Sequence, residues 1–241
     1  MEAYSANHPY YPQDVEIAKY SPNVSPLAVL LGWFGSIIAI ILGASLVLAR
    51  RIRPRIQVFE QLTLCWFVLC GFLHCFFEGY FVLNHAELPG SQSLFAQLWK
   101  EYALSDSRYI TSDPFMLCIE GITVFIWGPL CIAIAVCLVR GNDLRYPLQI
   151  VMCVGHLYGV ALYYGTCYFE YHYHGNSHSR PEFLYYWVYY ASFNFPWVVV
   201  PSLLLVQGIR TTWDIFRAFE DVRSVLLRLG DLHGTEPKKE R

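Results

Sequence analysis

Five stretches of the chain stay apolar for about twenty residues, roughly 27–49, 62–83, 115–139, 147–169 and 184–208, and polar segments separate them. A hydrocarbon core of about 30 Å takes ~20 residues of helix to cross. The pattern therefore predicts an all-α membrane protein, a five-transmembrane-helix bundle with interfacial helices. The fourth stretch, PLQIVMCVGHLYGVALYYGTCYF, is the weakest, because His156, its glycines and several tyrosines lower its hydropathy. A re-entrant segment is the alternative there. Within 84–114, Leu94, Phe95, Leu98, Trp99, Tyr102 and Leu104 fall at helical spacing and predict an amphipathic helix lying over the bundle. A second amphipathic stretch, TTWDIFRAFEDVRSVLLRL at 211–229, prolongs the fifth span. The chain thus divides into an N-terminal segment (1–26), a five-helix domain (27–209) and an amphipathic tail (210–241). It carries no internal repeat and no inverted pair of broken helices of the transporter kind.

Charge tests the count of spans. Five crossings put Arg50, Arg51, Arg53, Arg55, Arg140, Arg145 and the seven cations of the tail on one side, 13 in all. The other side keeps Lys19, Lys100, Arg108 and Arg180. Cytoplasmic loops carry the excess of Lys and Arg, so the C-terminus faces the cytoplasm and the N-terminus the lumen. Four crossings spoil the asymmetry. Lys238 and Lys239 near the end of the tail resemble a dilysine retrieval signal of the endoplasmic reticulum, and Asn23-Val24-Ser25 is a sequon too near the first span for ready modification.

Composition agrees: 55% hydrophobic residues, a mean hydropathy of +0.34 and a formal charge of −2 leave no footprint for nucleic acid. The first twenty residues lack the basic and apolar regions of a cleaved signal peptide, so the first span is expected to direct insertion. The eight cysteines form no CxxC pair and read as reduced packing residues.

Charged side chains at bilayer depth cost about 2.5–3.5 kcal/mol each on insertion scales. Three stand out: His74 and Glu78 in the second span and Glu120 in the third. His74 and Glu78, at i and i+4, share a helical face. Glu120, Thr123 and Trp127 form another stripe. In the fifth span Asn194 and Trp197 flank Pro196, whose missing N–H frees a carbonyl and kinks the helix. Facing one another, the three stripes would make a small polar pocket with aromatic walls.

A carboxyl in a low-dielectric site can hold a proton near neutral pH and deliver it, while a second carboxylate or the imidazole accepts one elsewhere. Tryptophan faces stabilise an electron-deficient carbon. Such a set suits isomerisation of an apolar alkene through a carbocation. Two other readings stay open. The polar residues could be interhelical hydrogen-bond glue, with Trp127 and Trp197 as packing, or a metal site joined by His172, His174 and His178, although the HxxxH and HxxHH boxes of membrane di-iron enzymes are missing.

The stretches LTLCWFVLCGFLHCFFEGYFVL and SLFAQLWKEYALSDSRYITSDPFMLCIEGITVFIWGPLC, with GHLYGVALYY, LYYWVYYASFNFPWVVVP and the early HPYYP, resemble the emopamil-binding protein family. These are the sterol Δ8–Δ7 isomerases of the endoplasmic reticulum membrane, of EXPERA type. The resemblance runs from about residue 8 to 205. It implies a five-helix fold and transposition of a 3β-hydroxysteroid double bond from C8=C9 to C7=C8. It carries the essential acid/base positions onto His74, Glu78 and Glu120, and the supporting Thr, Asn and Trp onto Thr123, Asn194 and Trp197. No redox or metal cofactor is required, since the net reaction moves only a proton. The implied partners are a sterol substrate, membrane lipids, cationic amphiphilic amines as inhibitors and a second copy of the chain in a homodimer. One departure concerns substrate: His156 stands where the family commonly has an amide residue, and Val160 where an acidic one can stand. A non-sterol polycyclic terpenoid as substrate, or sterol and amine binding without turnover, are the alternatives, and retention of all six residues argues against the last.

Overall fold

The computed structural model describes residues 8–234, with side chains through Leu229. Lys238, Lys239 and the first seven residues lie outside the described residues. Seven helical units carry the fold: α1 Leu27–Ile52, α2 Val58–Asn84, α3 Leu94–Tyr102, α4 Pro114–Arg140, α5 Arg145–His174, α6 Leu184–Ser192 and α7 Pro196–Gly234. Among the described residues there is no strand. Five spans are long and apolar enough to cross a membrane: α1, α2, α4, α5 and the run from Leu184 to Leu229. The chain is therefore a multi-pass membrane protein. The fourth is a continuous helix of 30 residues, not a re-entrant segment.

Local chemistry sets the ends. Asp113 accepts a hydrogen bond from the Met116 amide at 3.0 Å and Pro114 opens α4, where its missing N–H costs nothing. Gly141, with φ of 65°, supplies the left-handed residue that closes α4 before a short turn into α5. Four stretches are wound as π-helix rather than α-helix: Leu73–Glu78 inside α2, Thr123–Trp127 inside α4, Glu170–His174 at the end of α5, and all of α6. Such stretches concentrate at functional sites, because they displace side chains from the regular 3.6-residue faces.

The two ends of the bundle are tied differently. At one end Glu60 takes Arg53 at 3.0 Å and Arg145 at 2.9 Å, so a single buried carboxylate joins the α1–α2 and α4–α5 turns. At the other end α3 is covered by the N-terminal segment. Gln97 accepts the amides of Val24 and Ser25, Tyr10 donates to the Lys100 carbonyl, and the Lys100 ammonium donates to the Ser21 carbonyl. The expected amphipathic helix is thus present, but it buries Lys100 and Gln97 as well as its apolar face. Asn23 spends its amide nitrogen on the Gln97 carbonyl at 2.8 Å. Arg108, counted above on the cation-poor side, is also buried, forked onto Asp106 and bonded to Thr166.

Two hydrophobic clusters fill the interior. One, at the α3 end, contains Tyr10, Phe81, Trp99, Tyr109 and Met116. The other, toward Glu60, contains Phe67, Cys70, Cys131, Ile134 and Met152. His74 and Glu78 on α2, and Glu120 on α4, lie in sequence between members of the two clusters, at the seam.

Candidate active site

The π-wound turn of α2 presents His74 and Glu78 together, with His74 Nδ1 2.8 Å from Glu78 Oε2. Their exposures differ: 4% for the His74 side chain and 16% for that of Glu78, which makes Glu78 the accessible member. Glu120 approaches from α4. It lies near enough to Glu78 for the two carboxyls to act on each other electrostatically, and it accepts the Tyr109 hydroxyl at 2.8 Å. The three sequence-predicted acid/base residues are therefore in one buried cluster. Gly128 makes this approach possible: a Cβ there would stand 2.5 Å from Cys75 Sγ and 3.2 Å from His74 Cβ.

Tyr109 was not found by the sequence reading. It sits in the loop before α4, eleven residues from Glu120, and no helical spacing links the two. Burial pushes its phenol well above the ordinary tyrosine value, the Glu120 charge adding to the effect, so it remains a donor across the working pH range.

His156 brings α5 into the site. Its Nε2 lies 3.0 Å from His74 Nε2, while its Nδ1 is buried without a hydrogen-bond partner among the described residues. With His74 Nδ1–H directed at the Glu78 carboxylate, His74 Nε2 carries the lone pair and His156 Nε2 donates. Trp66 meets the His156 ring edge-on at 6.1 Å, and Trp197 packs on Trp66 at 5.3 Å. Trp197 is thus separated from His156 by one ring.

The remaining predicted residues line the surroundings. Thr123 donates to the Ile119 carbonyl at 2.9 Å and Asn194 to the Tyr190 carbonyl at 2.8 Å. Neither donor is spent on a carboxyl. Tyr102 stands close to Asn194, and its ring lies 5.5 Å from that of Tyr109, so two tyrosines separate Asn194 from Glu120. Trp127 lies against Gly155 of α5: a Cβ on that glycine would be 3.0 Å from its indole carbons. Thr123 and Trp127 fall in the π-wound stretch, where the turn per residue differs from that of the α-helix on which the i, i+3, i+7 spacing rests.

Cys70 Sγ and one ring nitrogen each of His74 and His156 lie within 4.8 Å of one another, the grouping among the described residues able to hold a metal. The histidines considered earlier do not converge: His172 packs on Tyr168, His174 pairs with Glu170 at 3.0 Å and His178 with Ser107 at 3.3 Å. The two cavities described, about 570 and 310 Å³, are lined by the Arg108–Glu170 region and by the Ser25–Gln97 region, not by His74, Glu78 or Glu120. Burial of a carboxyl pair and an imidazole in an apolar bundle is the costlier feature and the one that needs a function.

Residues 94–208 match the family model of EXPERA, the expanded EBP superfamily. The chain is 35% identical over 214 residues to the 3-beta-hydroxysteroid-Delta(8),Delta(7)-isomerase of Cavia porcellus, covering 88% of this chain and 92% of the relative. It is 36% identical over 204 residues to the mouse protein of the same name, covering 84% and 87%. Similarity extends to an isomeliandiol synthase of Melia azedarach, 35% identical over 149 residues, 61% of this chain and 68% of the relative.

Proposed function

The chain belongs to the EXPERA (expanded EBP) superfamily, and on that premise we propose that it is a sterol Δ8–Δ7 isomerase acting through the His74–Glu78–Glu120 cluster. The observation that carries the reading is the gathering of two carboxyls and an imidazole inside an apolar bundle. The facing pair, Glu78 and Glu120, can hold one proton between them. Glu78, the accessible member, adds that proton to C9 of the Δ8 sterol, which leaves a tertiary cation at C8. A proton then leaves C7 to the basic part of the cluster, and the C7=C8 bond forms. One C–H bond is made and one broken, so no redox equivalent enters. Tyr109 steadies Glu120 throughout, and Thr123, Trp127, Asn194 and Trp197 shape the surroundings in which the cation forms.

The reading extends to the setting. The distribution of cations supports a lumenal N-terminus and a cytoplasmic C-terminus in the endoplasmic reticulum membrane. A cationic amphiphilic amine would set its ammonium beside Glu78, where the sterol cation forms, and inhibit. A homodimer would pair spans whose faces are largely exposed, as on α1, where only Leu30 and Ala49 are buried.

Purified protein in deuterated water tests the assignment. Δ8 sterol should become Δ7 sterol with deuterium at C9, and Glu78→Gln should lower turnover by about 10²–10⁴-fold. Undiminished turnover in that variant would remove Glu78 from the chemistry. The similarity to an isomeliandiol synthase favours a second reading, a non-sterol polycyclic terpenoid as substrate for the same proton transfers. Product profiling of both substrate classes decides between them.

A further inference from the structure

We propose that Cys70, His74 and His156 form an intramembrane zinc site, and that zinc in it switches the acid/base cluster off. All three donors are buried, at 0%, 3% and 6% exposure. Two come from α2, at i and i+4, and the third from α5 across the bundle, so their backbones are held by packing rather than by loops.

Tetrahedral zinc with bonds of ~2.0–2.1 Å to nitrogen and ~2.3 Å to sulfur separates two imidazole nitrogens by about 3.4 Å and a nitrogen from a thiolate by about 3.6 Å. The two Nε2 atoms already stand at 3.0 Å. The Cys70 sulfur and one ring nitrogen of each histidine lie within 4.8 Å of one another, about 1.2 Å beyond the bound nitrogen–sulfur spacing, so small side-chain shifts close the site. Without a metal the two facing imidazoles must place one proton between two lone pairs. A cation accepts both.

The surroundings suit a structural kind of site. Glu78 accepts from His74 Nδ1, the outer carboxylate that orients a metal-bound imidazole. Cys131 and Cys153 lie in the same buried cluster as Cys70 and act on it electrostatically, so the pocket is sulfur-rich and selects zinc over magnesium or calcium. The charges also close: the two positive charges of zinc meet one thiolate and the Glu78 carboxylate, which leaves no net charge in the dry interior. On binding, the Cys70 thiol gives up its proton to solvent, and the His156 proton passes from Nε2 to the unpartnered Nδ1, which frees the Nε2 lone pair for the metal. His74 Nε2 then has no free lone pair, and Glu78 is fixed as an anion on the other face of the ring, with no proton to deliver. His156 makes the difference, since an amide residue in its place would leave only two good donors.

Zinc binding stands independently of the isomerase reading; only its effect on turnover rests on that reading. The full chain is purified in detergent, stripped with a chelator and titrated with zinc alone, then with cobalt(II) as the optical probe. The expected result is one metal per chain and a cobalt–thiolate charge-transfer band. Cys70→Ser should abolish the band, and His156→Gln should weaken binding by more than the ~10–100-fold that losing an outer partner costs. Cys118→Ser, at an exposed thiol of α4, should change nothing. Absence of the band in the unaltered chain, or its persistence in both site variants, overturns the site. If Cys70→Ser does not fold, His156→Gln alone decides. For the switch, zinc should abolish sterol turnover in the unaltered chain and spare it in Cys70→Ser. A chain that binds zinc and still turns over overturns the switch. A metal-free chain without turnover would count against the isomerase reading, while the cobalt spectrum still reports on the site.

Discussion

At the scale of single residues, the chemistry depends on how a few polar atoms are held. His74 and Glu78 could be paired from sequence because four residues bring side chains onto one side of the helix in the α and the π winding alike. Tyr109 and His156 could not. One reaches Glu120 across a loop, and the other reaches His74 from 82 positions away. The family resemblance marked His156 as a departure without showing what it touches. Tyr109→Phe tests the phenol. It removes the donor to Glu120 and keeps the ring between Trp99 and Phe81, so kcat should fall by roughly 3- to 10-fold, the range of one net hydrogen bond. KM should hold, and the pH–rate profile should move. An unmoved profile with kcat at the wild-type value would reduce Tyr109 to packing.

At the scale of elements, hydropathy found every span, drawing the first four within their true helices and running the fifth across the break between α6 and α7. α1 runs on through Arg51 to Ile52, α5 through Glu170 to His174, and α7 far past the apolar run, because backbone hydrogen bonding continues after hydrophobicity ends. The π-wound turns were not legible at all. A template of 3.6 residues per turn cannot register an inserted residue, and two of these turns hold His74, Glu78, Thr123 and Trp127. Close approach of α2 and α4 at Gly128 keeps the first of them in place. Gly128→Ala would drive a methyl into Cys75 and the His74 stem, where both backbones are fixed. It should cost about 1–3 kcal/mol of stability, as overpacking does, and lower kcat by displacing His74. Thermal unfolding in detergent together with turnover checks both effects. A variant unchanged in either would mean that the helices part more readily than their packing implies.

At the scale of the molecule, the two ends behave as different devices. The Glu60 end is a clasp of opposite charges. The α3 end is a cover in which Lys100 is buried with the Ser21 carbonyl as its acceptor. Burial pulls the Lys100 ammonium down from 10.5 to about 8. Between those values the unfolded chain binds more protons than the folded one, so stability of the cover rises with pH from about 8 to about 10.5 and is flat below. Hydrogen exchange of residues 8–25 across that range should show rising protection beyond the ordinary base-catalysed trend, and Lys100→Met should remove the rise. Positive-inside counting reached the right number of spans although two of its four opposing cations, Lys100 and Arg108, proved to be buried and partnered.

The cluster is largely buried, with the Glu78 side chain at 16% exposure and that of His74 at 4%. Its reactant is a flat hydrocarbon dissolved in the same two-dimensional medium as the spans. Encounter is then a matter of lateral diffusion followed by parting of the helices, with no passage through water. Velocity should accordingly scale with the mole fraction of reactant among the lipids: adding inert lipid at a fixed amount of sterol dilutes the reaction, although nothing in the aqueous phase has changed.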